Sequence, residues 1–223
     1  PVIVEATKSD SDDVRSAAIG VLMKLGDVTS IPILLDVALQ SDEETQLDVI
    51  EAIEGLEGAD IDADLAARLA KAEGPVRPIL IDIVGQRRIA AAVPELLKAI
   101  DDSDAGIRAS ALAALGETVD NLSVLIDRVV APKNEDDTPV AKKALSAAAI
   151  RMPDREACAA QLVAAMADAP IATQCTILDI LGAMGGANSL KAMHKAGLAS
   201  VDELQDTSTR LLGEWMAVDA APV

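Results

Sequence analysis

Phenylalanine and tyrosine are missing from this chain, and tryptophan occurs once, at Trp215. Sheet sandwiches and barrels use aromatic side chains to fill a pleated surface, so this absence argues against a β architecture. Cations are scarce: 19 Lys and Arg stand against 37 Asp and Glu, for a net charge of −18. Phosphate binding needs clustered Lys and Arg that release counterions, so nucleic acid is a poor partner. An anionic membrane surface is excluded on the same ground. No apolar run approaches the roughly 18 residues of a bilayer span, and the N-terminal residues do not resemble a signal peptide. Histidine occurs once and cysteine twice, too few for a His-rich metal site, a disulfide framework or an inference about redox compartment.

What remains is aliphatic. Hydrophobic residues make up 51% of the chain, mostly Ala, Leu, Ile and Val. Ala and Leu are the strongest helix formers, and the amount is enough for a substantial core. The composition predicts an all-α fold.

The segment Asp101 to Asp120, DDSDAGIRASALAALGETVD, holds an acidic turn, then Ile107-Arg108, an Ala and Leu stripe, and Gly116. The pattern recurs from Val14, Thr45, Val76, Ile107, Val140, Thr173 and Leu204, at spacings of 31, 31, 31, 33, 33 and 31 residues. Starting the fifth copy at Ala141 fits almost as well as Val140. A period of this size marks a solenoid or array. Within a copy, apolar residues fall four, seven or eight, and often eleven residues after the first. In the first copy these are Val14, Ala18, Val21, Leu22 and Leu25, the stripe of a half-buried helix. Further apolar segments lie between: Ile31–Leu39, Ile61–Ala70, Val93–Ile100, Leu122–Val130, Ala157–Met166 and Ser189–Leu198. Pro32 and Pro94 stand near the starts of theirs, where a missing N–H costs nothing. Each repeat is therefore two helices, and stacking the pairs gives one core.

Acid concentrates in the turns that lead into the second helices: residues 10–13, 41–44, 101–104, 134–137 and Asp202-Glu203. Ser or Asp there is expected to cap the following helix, with acids favoured by its dipole. None of these turns has the alternating ligands, Gly and final Glu of a calcium-binding EF-hand loop. His194, beside Lys195, fits a surface position. Cys158 and Cys175 fall near the starts of two antiparallel helices, about 10 Å apart along the axis at 1.5 Å per residue. That is too far for a disulfide.

An acidic turn, Val-Arg, Ala-Leu-Gly and Gly-Asp together resemble HEAT repeats, specifically the short HEAT-like repeats of phycobilisome lyases, over nearly the whole chain. The resemblance implies a right-handed α-solenoid, or armadillo-like superhelix, of about seven two-helix repeats. First helices would form the convex face and second helices the concave face. It places Arg15, Arg77 and Arg108 at a position that pairs with acids of the neighbouring turn. Gln46, Gln174 and Gln205 interrupt that ladder, and Val119-Asp120 departs from the Gly-Asp that Gly26-Asp27 keeps. HEAT-like deoxyhypusine hydroxylases hold two irons with several His-Glu pairs, where this chain has only His194. HEAT-like DNA glycosylases use a basic groove with aromatics, which is missing here. The sequence also has no Ser-His-Asp, Cys-His or Gly-rich phosphate loop.

These readings imply a non-catalytic scaffold with no metal, cofactor or catalytic residue, which binds a protein or peptide on its concave face. An accessory chaperone or lyase for a small chromophore is the alternative. Six residues after each repeat's first position lie Glu51, Asp82, Asp179 and Arg210, with Lys142 and Lys143 nearby, and these are the expected partner-binding residues. The whole chain, 1–223, is expected to be one array and a piece of a longer one or of a multidomain protein, whose adjoining domains are further partners. Pro1 to Lys8 is too short for a full first helix, and Asp219-Ala220-Ala221-Pro222 resembles the entry to another repeat. Residues 211–223 resemble repeat junctions in large bacterial proteins, some of them exported. Trp215, eleven residues after Leu204, is expected to face the following repeat and so to be partly exposed.

Like charges in neighbouring turns should lie about 10 Å apart, comparable to the Debye length at about 0.1 M salt. Raising NaCl from about 10 to about 300 mM should raise the melting temperature by a few degrees at neutral pH. A rise with micromolar calcium but not with NaCl would overturn the capping account of these turns.

Overall fold

The computed structural model describes residues 2–120, 122–167 and 169–215. Asp219 to Pro222, expected to enter another repeat, lie outside the described residues. The fold is all-α and of the helical-repeat (α-solenoid) class, with no strand among the described residues. The first helices are α1 (Val2–Ala6), α3 (Ile31–Gln40), α5 (Ala59–Leu69), α7 (Val93–Ala99), α9 (Ser123–Val130), α11 (Arg155–Met166) and α13 (Ala187–Gly197). The second helices are α2 (Asp12–Leu25), α4 (Glu43–Glu54), α6 (Val76–Gln86), α8 (Ala105–Thr118), α10 (Thr138–Arg151), α12 (Ile171–Met184) and α14 (Asp202–Glu214). The chain divides into two compact units, Pro1–Ala114 and Leu115–Val223, and each is described by itself.

The stripe explains the helices. The residue four after each first position is buried in every copy: Ala18, Val49, Leu80, Ala111, Ala144, Ile177 and Ser208. Ser208 is polar, and its hydroxyl donates to the Met193 carbonyl at 2.5 Å. From the first helices Leu34, Ile61, Leu65 and Leu96 are wholly buried against this stripe, each side chain contributing about 1.5–3 kcal/mol. Val14 and Leu25 depart from expectation, being 44% and 80% exposed.

With a single aromatic in the chain, neighbouring second helices meet through small residues. A Cβ on Gly85 would lie 2.7 Å from the Ala114 Cβ, and one on Gly116 would lie 2.8 Å from the Ala144 Cα. Both glycines stand nine residues after their first position. Eleven residues on is a residue that reaches back to the preceding repeat. Leu56 packs on Gly26 at the end of α2. Arg87 donates through Nη1 to the carbonyls of Ile53, Glu54 and Leu56, at 3.3, 2.6 and 2.7 Å, as it pairs with Asp62. Arg151 donates through Nη2 to the carbonyls of Gly116 and Val119 at 3.4 and 2.7 Å. These bonds serve carbonyls at the ends of second helices, where intrahelical donors run out. They also fix the fifth copy's register on Val140, because Arg151 then matches Arg87. This position faces the preceding repeat, not the following one as expected for Trp215.

The arginine ladder is corrected at Arg15. Arg77 does pair with Asp102 of the next acidic turn. Arg15 pairs with Asp12 of its own turn and donates to the Ser9 carbonyl at 2.8 Å. Arg108 donates to the carbonyls of Asp102 and Ser103, both at 3.1 Å. Gln174 and Gln205 donate to the Ala169 and Ala199 carbonyls at 2.8 and 2.6 Å. What recurs is a clasp on the turn's own backbone, which a neutral amide makes as well as a guanidinium.

Capping holds at two of the five acidic turns. Asp42 accepts from the Thr45 N–H at 2.9 Å, and Asp104 from those of Gly106 and Ile107 at 2.7 and 3.1 Å. Ser11 makes no side-chain cap, Asp137 makes none to α10, and Val201, not an acid, stands at the start of α14. Residues 135–137 instead form a short 3-10 turn. The helix α13 is capped from outside its own turn. The Glu156 carboxylate accepts from the Ala187 and Asn188 N–H groups at 2.7 and 3.0 Å.

Gly116→Ala should cost about 1–3 kcal/mol, since its Cβ meets backbone and the two helices must separate. Gly20→Ala, where a Cβ meets nothing within 4 Å, should stabilise by up to about 1 kcal/mol through helix propensity. Urea denaturation of both variants checks the contrast, and equal effects would contradict it.

Candidate functional site

Five of the second helices carry the expected residues. Glu51 on α4, Asp82 on α6, Asp179 on α12 and Arg210 on α14 are all exposed, as is Lys143 on α10, while Lys142 is half-buried. In the first unit, Glu51 and Asp82 share a patch with Glu54, which the sequence reading missed. Glu54 feels both of them. Its carboxyl is raised above the usual range by burial first, then by the charge of Glu51, with the Arg87 guanidinium opposing and Asp82 adding. Asp82 is also raised: the residue as a whole is exposed, but neighbouring atoms partly desolvate its carboxyl, and a hydrogen bond from Ser110 offsets this in part. The turn acids behave oppositely. Hydrogen bonds from Thr45 hold Asp42 below its usual value, and the Asp104 N–H followed by Arg77 does the same for Asp102.

In the second unit, Asp179 and Arg210 form an ion pair between α12 and α14, and Arg210 also lies 3.6 Å from Glu214. Lys142 and Lys143 make no ion pair with either. Asp179 and Arg210 stand on the rim of a cleft of about 740 Å³ that also includes Arg155, Met184, Leu211 and Trp215. Trp215 is half-buried, so partial exposure was correctly expected, although it shares this cleft with the end of the preceding second helix. The lone aromatic was the available signal for this cleft.

The remaining residues with chemistry are quiet. His194 is exposed near the end of α13. Both cysteines are free. Burial, with the Asp154 charge, pushes the Cys158 thiol up to about 11, away from the reactive thiolate. Among the described residues no three His, Cys, Asp or Glu side chains converge as a metal would require, and no helix is long and apolar enough to cross a membrane.

The fold and this exposed helix edge define a helical-repeat protein. No protein-family model matches the chain, and no curated protein matches it. Among solved structures, the chain is similar to the complex of CpcE and CpcF of phycocyanin lyase from Nostoc sp. PCC7120, with 17% identity over 98% of this chain and 89% of that one, at a TM-score of 0.44. Human deoxyhypusine hydroxylase in complex with glycerol gives 13% identity, coverage of 96% and 94%, and a TM-score of 0.41. The archaeal HEAT-like repeats protein from Thermococcus onnurineus NA1 gives 16%, 94% and 87%, and 0.40.

Desolvation disfavours the charged form of Asp82, so its raised pKa favours the fold below the ordinary carboxylate range. That contribution is lost as pH rises through the raised value. Asp82→Asn should therefore raise the melting temperature near pH 7 and leave it nearly unchanged near pH 3. Asp42→Asn should do the reverse near pH 7, because its lowered pKa stabilises the fold above the unfolded value and that gain disappears on acidification. Thermal melts of both variants at the two pH values check the opposite signs.

Proposed function

We propose that the chain is a non-catalytic scaffold of HEAT-like repeats that holds a protein or peptide partner on the exposed edges of its second helices. One observation carries the reading: on this edge Glu54 is kept as an acid where burial and the Glu51 charge disfavour it, and its neighbour Asp82 where desolvation does. Ionisable groups held at such a cost are candidates for function, and Glu51, Glu54 and Asp82 together suit a basic partner segment. Asp179, Arg210, Lys142 and Lys143 are the corresponding candidates in the second unit, and adjoining domains of a parent chain are candidate partners as well. No cofactor and no chemical step belong to this role.

Charge reversal separates a binding edge from a merely solvated one. Glu51→Lys with Asp82→Lys should weaken capture of a co-purifying protein at least tenfold. Glu73→Lys with Asp127→Lys, exposed acids away from the second helices, should leave it unchanged. Equal losses from the two pairs contradict binding on these edges.

A further inference from the structure

We propose that the outer face of α2 pairs with the same face of a second copy of this chain, the two helices running antiparallel across a two-fold axis. The inference goes beyond the scaffold reading and does not depend on it. Within the first unit this face is apolar and open. Val14 and Leu25 are 44% and 80% exposed, while Ala17 is exposed and Val21 half-buried between them. These four residues form one stripe at helical spacing. Val2 and Ile3 on α1, which packs on α2, are exposed as well. Elsewhere the ends of the stripe are covered. In the six later repeats the first residue and the one eleven positions on are all buried or half-buried. A contiguous apolar patch of this kind marks a protein contact.

Charge selects the occupant. Asp13 in the first turn and Lys24 in the last flank the stripe on one side, since eleven residues make about three turns. Both are exposed, and neither side chain makes an ion pair or hydrogen bond among the described residues. A two-fold axis perpendicular to both helices keeps that side in common. Each Asp13 then meets the partner's Lys24, and each Val14 meets the partner's Leu25. The helix dipoles oppose one another, which is favourable. A parallel neighbour, such as another repeat, would instead set an acidic turn against Asp12 and Asp13. Nor does Lys24 belong to the repeat pattern. Ten residues after the first position the later repeats carry Gly55, Gln86, Glu117, Ile150, Ala183 and Glu214, with no cation among them. The net charge of −18 opposes association of two chains in general. An apolar stripe with oppositely charged ends is where that opposition is offset.

Sedimentation velocity of the whole chain between about 1 and about 300 µM should show a monomer–dimer equilibrium. Leu25→Asp, at an exposed position, should weaken the dimer at least about tenfold, with unchanged helicity by circular dichroism. Lys24→Glu alone sets acid against acid at both ends and should also weaken it at least about tenfold. Adding Asp13→Lys to Lys24→Glu should restore the dimer to within about threefold of the original, because the charges are then exchanged and matched again. A chain that stays monomeric over this range, a dimer indifferent to Leu25→Asp, or a double variant no tighter than Lys24→Glu alone overturns the proposal. Growth beyond the dimer into open chains, as a head-to-tail contact gives, overturns it as well.

Discussion

Each second helix depends on its neighbour, because the chain has too little aromatic surface to bury a helix pair alone. The apolar side chains are short and aliphatic, so contact area comes from bringing backbones close together. Glycine supplies that approach: Gly85 rests on Ala114 and Gly116 on Ala144, with no room for another carbon. Closeness of this kind leaves helix-end carbonyls facing the next repeat, and a residue eleven positions into that repeat serves them. Where it is arginine, as at Arg87 and Arg151, the side chain is half structural cation and half helix cap.

The two arginines are not equal. Arg87 spends Nη1 on three carbonyls and engages Asp62 through Nε and Nη2. Arg151 reaches two carbonyls through Nη2, and its Nε is buried without a partner. The junction at α4 is therefore the better satisfied of the two. Acids divide in a parallel way. Turn acids such as Asp42 and Asp102 are held ionised by N–H donors and a guanidinium and stabilise the fold. Acids on the second-helix edge, Glu54 and Asp82, are opposed by desolvation.

Much of the fold was legible in the sequence, because a buried stripe must repeat wherever a helix is half-buried. The first and second helices fall where that stripe and the prolines place them. The two-helix repeat did not reveal which residues reach between repeats. Arg87 and Arg151 share a position with Leu56 and Met184, so no residue type marks it. Nor could period alone show that Gln174 and Gln205 make the same turn clasp as Arg15 and Arg108. The candidate site was legible as an exposed edge, and Glu51, Asp82, Asp179 and Arg210 lie on it. Glu54 was missed because its significance comes from burial against its neighbours. Arg155 was missed because it starts a first helix and lines the same cleft as Trp215 only through the packing of α11 and α14 on α12.

The account stands most directly on the reach of Arg87 back to the end of α4. Equilibrium unfolding of Arg87→Met, compared with Arg68→Met, measures it. Arg68 makes only an i,i+4 pair with Asp64 on one helix, which predicts a loss of about 0.5 kcal/mol or less. Removing Arg87 takes their donor from the Glu54 and Leu56 carbonyls, which predicts a loss of at least about 2 kcal/mol. Losses of the same small size for both would contradict the claim that this cross-repeat cap holds the second helices together.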